Sequence, residues 1–181
     1  MVWESYYWKQ RLRVLILEIE AISEEDEASP LDISNLEIAI FTGFFLVRKL
    51  VEAQTKLSSK VENQNIRCQT ALKKNNTPLV DIMNRFDVGD LYDLETLQAS
   101  GISLKKACNI FIHSVFLWMS YDESGIVAGV LVTSSYEKDK TVYLIGIPEI
   151  IGVFRSVSRD DLSDLQMYRD AETNEMKVRK A

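Results

Sequence analysis

The chain of 181 residues contains a single histidine, His113, and it falls on an apolar segment with two other polar side chains at helical spacing. With a helix starting near Ser103, Lys106, Asn109 and His113 lie within about 60° of one another, because seven residues nearly close two turns, four overshoot one turn by about 40° and three fall short of one by about 60°. They form a polar stripe among Ala107, Cys108, Ile110, Phe111, Ile112, Val115, Phe116, Leu117, Trp118 and Met119. An imidazole moves protons near neutral pH, a carboxamide orients a neighbour, and an ammonium group stabilises developing negative charge. The alternative is structural, with Asn109 and His113 hydrogen-bonded to each other or to backbone in a packed interior, where an unsatisfied polar group costs roughly 1–3 kcal/mol. Cys108 and His113 stand about 140° apart on the same helix, which rules out a thiol–imidazole nucleophile pair.

Other chemistries find less support. No Gly-rich phosphate loop of the G-x-x-x-x-G-K-[ST] or G-x-G-x-x-G kind occurs, so no nucleotide cofactor is expected. Cys68, Cys108 and one His cannot supply four Cys/His zinc ligands within one chain. Asp81, Asn84, Asp87, Asp90 and Asp93 recur every third residue but lack the order of a calcium loop, and read as the solvated side of short helices or turns. The expectation is no metal and no cofactor.

With 46% hydrophobic and 27% charged residues, the composition is that of a folded domain. The net charge of -6 argues against nucleic-acid binding through bulk positive charge and confines any polyanion site to a local patch. Between Arg48 and Arg85 basic residues outnumber acidic ones, so the patch is expected there, with Arg48, Lys49 and Arg85 as candidate anion-binding residues. Glu4, Lys9, Arg11 and Arg13 interrupt any signal-peptide core, and free thiols point to the cytoplasm. The apolar stretch Leu36 to Val47 is short of the roughly 20 residues a membrane helix needs, so no membrane association is expected.

The elements that must position the stripe can be read in outline. Trp8, Leu12, Leu15, Ile19 and Ile22 line one face of a first helix, which runs into the acidic residues 24–27 and stops at Ser29-Pro30. Ser34 and Glu37 have the form of a capping box for a second helix lasting to about Leu57, with Gly43 admitting a close neighbour. Residues 61–78 read as a long loop or frayed helix. The stripe helix runs from the Ser103 cap to about Tyr121. Residues 126–133 and 141–147 form a β-hairpin, and Pro148 opens a last core helix carrying Ile150, Ile151, Val153, Phe154 and Val157. The charged residues 161–181 read as a peripheral helix or tail.

The run Ser103-Leu104-Lys105-Lys106-Ala107-Cys108-Asn109-Ile110-Phe111-Ile112-His113-Ser114 resembles the motif helix of the HEPN superfamily, small helical domains of toxin, antiphage and RNA-processing systems. Asn35-Leu36-Glu37 and Arg48-Lys49-Leu50-Val51-Glu52-Ala53 extend that resemblance to the preceding helices. The family motif is Arg, four to six residues, then His, commonly with a polar residue after the Arg. Asn109 and His113 match the polar residue and the His, whereas Cys108 or Lys106 stands where the Arg belongs.

The resemblance implies a mainly α-helical bundle of four or five helices, spanning residues 1–160, with one β-hairpin at 126–147. A sheet of more than three strands in one chain is incompatible with it. Burial is expected to centre on Phe41, Phe44, Phe45, Ile110, Phe111, Val115, Trp118 and Phe154. The family's chemistry is metal-independent RNA cleavage, usually between two facing motifs of a homodimer. On this resemblance His113 is the general acid or base, Asn109 orients it or the phosphate, and Lys106 is a substitute cation without the bidentate fork of Arg. The missing Arg favours a catalytically degenerate module that binds RNA or a protein partner, such as an antitoxin or defence-system protein. The alternative is an endoribonuclease working through His113. Self-association as a homodimer near the His113 stripe is expected in either case.

Overall fold

The computed structural model describes residues 2–25, 28–162 and 164–180. Asp26 and Glu27 of the acidic run lie outside them. Four main helices are present: α1 (Ser5–Ser23), α2 (Pro30–Glu52), the shorter α5 (Leu104–Ile112) and α6 (Ile147–Arg159), with single turns α3 (Ser59–Glu62) and α4 (Val88–Leu91) between them. The strands are β1 (Asn65–Leu72), β2 (Gln98–Ser103), β3 (Ser114–Tyr121), β4 (Val127–Ser134), β5 (Thr141–Gly146), β6 (Leu165–Arg169) and β7 (Met176–Lys180).

The first five strands form one antiparallel sheet in the order β2-β1-β5-β4-β3. This corrects the mainly helical bundle: a five-stranded sheet makes the fold a mixed α and β one. The hairpin read at 126–147 is present as β4 and β5, but it is the centre of a sheet rather than an insertion. β1 replaces the expected loop. Its Ile66 and Cys68 are buried against the helices while Asn65, Arg67 and Gln69 face out, a strand alternation carried by half-polar residues, and Ala71 is buried on the opposite face. β3 replaces the second half of the expected stripe helix. Its run Val115 to Met119 is apolar on consecutive residues, a pattern that periodicity cannot assign to helix or strand.

α5 and α6 lie against one face of the sheet, α2 packs on both, and α1 packs on α2 and α6. Phe44 of α2 joins these helices, stacked on Phe111 at 3.9 Å between ring centroids and edge-on to Phe154 at 5.2 Å. Gly43 makes this possible, since a Cβ there would overlap the Phe154 ring. Of the expected core, Phe44, Ile110, Phe111 and Phe154 are buried, Phe41 and Val115 are half-buried, and Phe45 and Trp118 are exposed. α2 has the length and composition of a membrane span, yet Leu36, Ile40, Phe44, Val47 and Leu50 are buried among its neighbours.

The sheet's other face carries a smaller core in which Val80, Val88, Leu91 and Tyr92 cover Ala71, Phe116, Leu131 and Val142. In the Asp series, Asn84 Oδ1 accepts from the Asp81 backbone N–H at 2.8 Å and Asp81 Oδ1 accepts from Met83 N–H at 2.7 Å. Those side chains hold turns. The cap of α2 is Ser29 with Asp32, five residues before the expected Ser34 and Glu37, and Pro30 opens this helix instead of closing α1. The C-terminal segment is neither helix nor tail: β6 and β7 pair as a hairpin. Lys180 anchors it, with Nζ 2.7 Å from Glu62 Oε2 and 2.7 Å from the Gln54 carbonyl.

Candidate functional site

Ser103 caps α5 as expected, its Oγ accepting from Lys106 N–H at 3.2 Å. The helix is short, so His113 closes it instead of sitting mid-helix. Two backbone bonds fix that end: His113 N–H donates to the Asn109 carbonyl at 3.0 Å, and Ser135 N–H donates to the His113 carbonyl at 2.9 Å. The imidazole is exposed. It stands edge-on to the exposed Tyr136 ring, with centroids 5.9 Å apart and planes at 82°. A buried Asn109–His113 network is therefore not what this histidine serves.

One turn earlier, Asn109 accepts through Oδ1 from Nη1 of Arg48, which projects from α2. Packing of α2 against α5 brings this guanidinium to the stripe. Glu52 holds it on the other side, with Arg48 Nε 2.6 Å from Oε1 and Lys49 Nζ 3.0 Å from Oε2. The hydrogen bonds from Arg48 and Lys49 keep the Glu52 carboxyl below the ordinary glutamate range, so it is held ionised. Arg48, Lys49, Glu52, Asn109, His113, Phe45 and Ile112 line a hollow of about 130 Å³.

Of the six residues singled out from sequence, Arg48, Lys49, Asn109 and His113 meet here. Lys106 does not. Its Nζ lies 3.0 Å from Glu137 Oε1 and 5.1 Å from the centre of the Tyr143 ring, and the hydrogen bond with Tyr143 leads the effects that raise its pKa. Arg85 does not either. It packs with the segment on the far face of the sheet, Nη1 donating to the Val115 carbonyl at 3.3 Å and its guanidinium 4.8 Å from the Phe86 ring centre. Glu52 was overlooked in the sequence, although its spacing of three from Lys49 and four from Arg48 is the signal of helix ion pairs.

Both thiols are buried and stand apart from this chemistry. Burial pushes the Cys108 thiol up to about 12 and raises that of Cys68. No family model matches the chain, and neither the curated proteins nor the solved structures contain a match.

The hollow combines a guanidinium, an ammonium group, a carboxamide and an exposed imidazole against one carboxylate. Such a set can hold a phosphodiester, the guanidinium and the imidazole both donating to its two non-bridging oxygens. Proton transfer is more limited. Glu52, held ionised, has no proton to give and is a weak base, which leaves the His113 imidazole as the group of the hollow whose chemistry allows it to give or accept a proton.

Proposed function

We propose that the chain is an RNA-binding module whose Arg48, Asn109 and His113 hold a backbone phosphate of a single strand. One observation carries the reading: a guanidinium positioned by Asn109 opens onto the same hollow as an exposed imidazole. Phe45 and Tyr136, 48% and 77% exposed, flank the hollow and offer ring faces on which bases can stack, which favours a nucleotide strand over a bare anion. The five-stranded sheet is incompatible with the HEPN fold that this stretch of sequence resembles, so the reading stands on these side chains and not on the fold.

Binding is favoured over cleavage because in-line attack by a 2′-OH needs a base and an acid, and one chain brings a single His113 to the hollow. Metal-independent endoribonuclease activity is the second reading, favoured by Arg48, which places near Asn109 the guanidinium that the motif helix lacks. It requires two copies to face each other. Ile38, Phe45 and Ile112, exposed at 62%, 48% and 40%, give a homodimer an apolar surface beside His113.

Fluorescence anisotropy with a single-stranded RNA tests the first reading. Arg48→Ala and His113→Ala should each weaken binding, by about fivefold at 0.1 M salt for Arg48 if one phosphate contact is lost. Wild-type affinity in both variants overturns it. Cleavage of the same RNA in EDTA by wild type, lost in His113→Ala, would establish the second reading instead.

A further inference from the structure

Beyond the hollow, Arg48 also lines a larger cleft of about 770 Å³ between α2, the start of α5 and the terminal hairpin. Lys105 lines it from α5, and Lys177 and Lys180 line it from β7. The acidic residues on its walls are Glu52 and Glu62, and each is already engaged, Glu52 by Arg48 and Lys49 and Glu62 by Lys180. Among the described residues neither Lys105 nor Lys177 has a carboxylate within ion-pair distance, and both are exposed. In a chain of net charge -6 this leaves a local run of uncompensated positive charge.

The run is continuous with the hollow. Lys105, Asn109 and His113 follow one another at intervals of four, so they form a slowly winding row along α5, about 12 Å from first to last. Arg48 meets the middle of that row at Asn109 and borders both cavities. The terminal hairpin supplies the opposite wall, held by Lys180 on Glu62 and by Ser59 Oγ donating to the Lys180 carbonyl at 3.1 Å.

We propose that this cleft is the track for the rest of the bound strand: Lys105 and Lys177 hold backbone phosphates of the nucleotides that follow the one at Arg48 and His113. The proposal rests on the RNA-binding reading above and extends it to residues 105 and 177. Its ligand is a single-stranded phosphodiester chain, long enough to leave the hollow and pass between α5 and β7. Phosphate contacts by two lysines carry no sequence information, so the track adds affinity and direction without adding base preference.

The test is anisotropy with two labelled RNAs, a dinucleotide and a strand of roughly 12 nucleotides, on the full chain. The single variants Lys105→Gln and Lys177→Gln lie on exposed positions and should each weaken the long strand by about fivefold at 0.1 M salt, and reduce the slope of log affinity against log salt by about 0.7. Both should leave the dinucleotide unchanged. Arg48→Ala should weaken both RNAs. Loss with Arg48→Ala but wild-type affinity for the long strand in both lysine variants overturns the track and leaves the hollow standing. Equal loss of both RNAs in the lysine variants also overturns it, since it would place the lysines at the hollow itself. No binding of either RNA by wild type overturns the track and the RNA reading together.

Discussion

Arg48 and Asn109 are hydrogen-bonded across two helices, and their separation of 61 residues makes this the contact that assembles the hollow. Asn109 is the partner that aims the guanidinium, while Glu52 competes with any anion for it. The bond should therefore be measurable as a coupling. In a double-mutant cycle of Arg48→Ala and Asn109→Ala, urea unfolding should give an interaction of about 1 kcal/mol, reduced from the value of a buried charged hydrogen bond because the arginine keeps solvent contact. Additive effects would show that Asn109 does not position Arg48.

Glu52 gives a test with the opposite sign. Glu52→Gln removes the charge that occupies Arg48 and Lys49, so RNA should bind more tightly, by about fivefold at 0.1 M salt if one further phosphate contact is released. Unchanged or weaker binding would mean that Glu52 orients the cations instead of screening them.

For His113 and Lys106 the two assays should separate. His113 is exposed, so His113→Ala should change stability by no more than about 0.5 kcal/mol in a thermal or urea melt while lowering RNA affinity. Lys106→Ala should lower stability by up to about 1 kcal/mol through loss of the Glu137 pair and leave RNA affinity alone. For the same reason Lys106→Arg should restore no cleavage, because the side chain points to Glu137 and Tyr143.

How much of this site was legible follows from the kind of signal each residue emits. The α5 stripe rests on spacing within one helix, and Asn109 and His113 were found that way. Lys106 shares the spacing, but its side chain is claimed by Glu137 on the loop after β4, a partner that no local pattern announces. Arg48 and Arg85 look alike in sequence, and only the packing of α2 on α5 distinguishes them. The fold shows the same division. The α1 stripe, the β4–β5 hairpin, Pro148 and the Gly43 contact come from strong local chemistry. β1 hid its alternation behind Cys68, Thr70 and Ala71, and β3 followed α5 with no Gly or Pro to mark the change of period.

The thiols predict an alkaline effect. Cys108, protonated in the folded state up to about 12, ionises near its ordinary value once unfolded. Between those values the unfolded chain holds fewer protons, so stability falls as pH rises, by up to about 1.4 kcal/mol per pH unit from this group. Urea titrations from pH 8 upward should show the slope in wild type and lose that part of it in Cys108→Ala. At pH 8 neither thiol should react with an aromatic disulfide reagent until the chain unfolds, when both should.

Gly43 offers a stability test with a defined sign. In an exposed helix Gly→Ala stabilises by about 1 kcal/mol, but at position 43 the methyl group meets the Phe154 ring, and Gly43→Ala should destabilise by roughly 1–3 kcal/mol in urea. A stabilised variant would mean that α2 and α6 are free to move apart.

The strand order has a consequence for the chain as it is synthesised. β1 finds β2 soon after both emerge, but its other edge pairs with β5, and Leu72 waits for Thr141. Until residues 141–144 leave the ribosome, a strand destined for the middle of the sheet presents an open edge, with Ile66 and Cys68 uncovered on one face and Ala71 on the other. A nascent chain stalled in the loop between β4 and β5 is thus the form most exposed to aggregation and to chaperone capture, and release of one further strand ends that exposure.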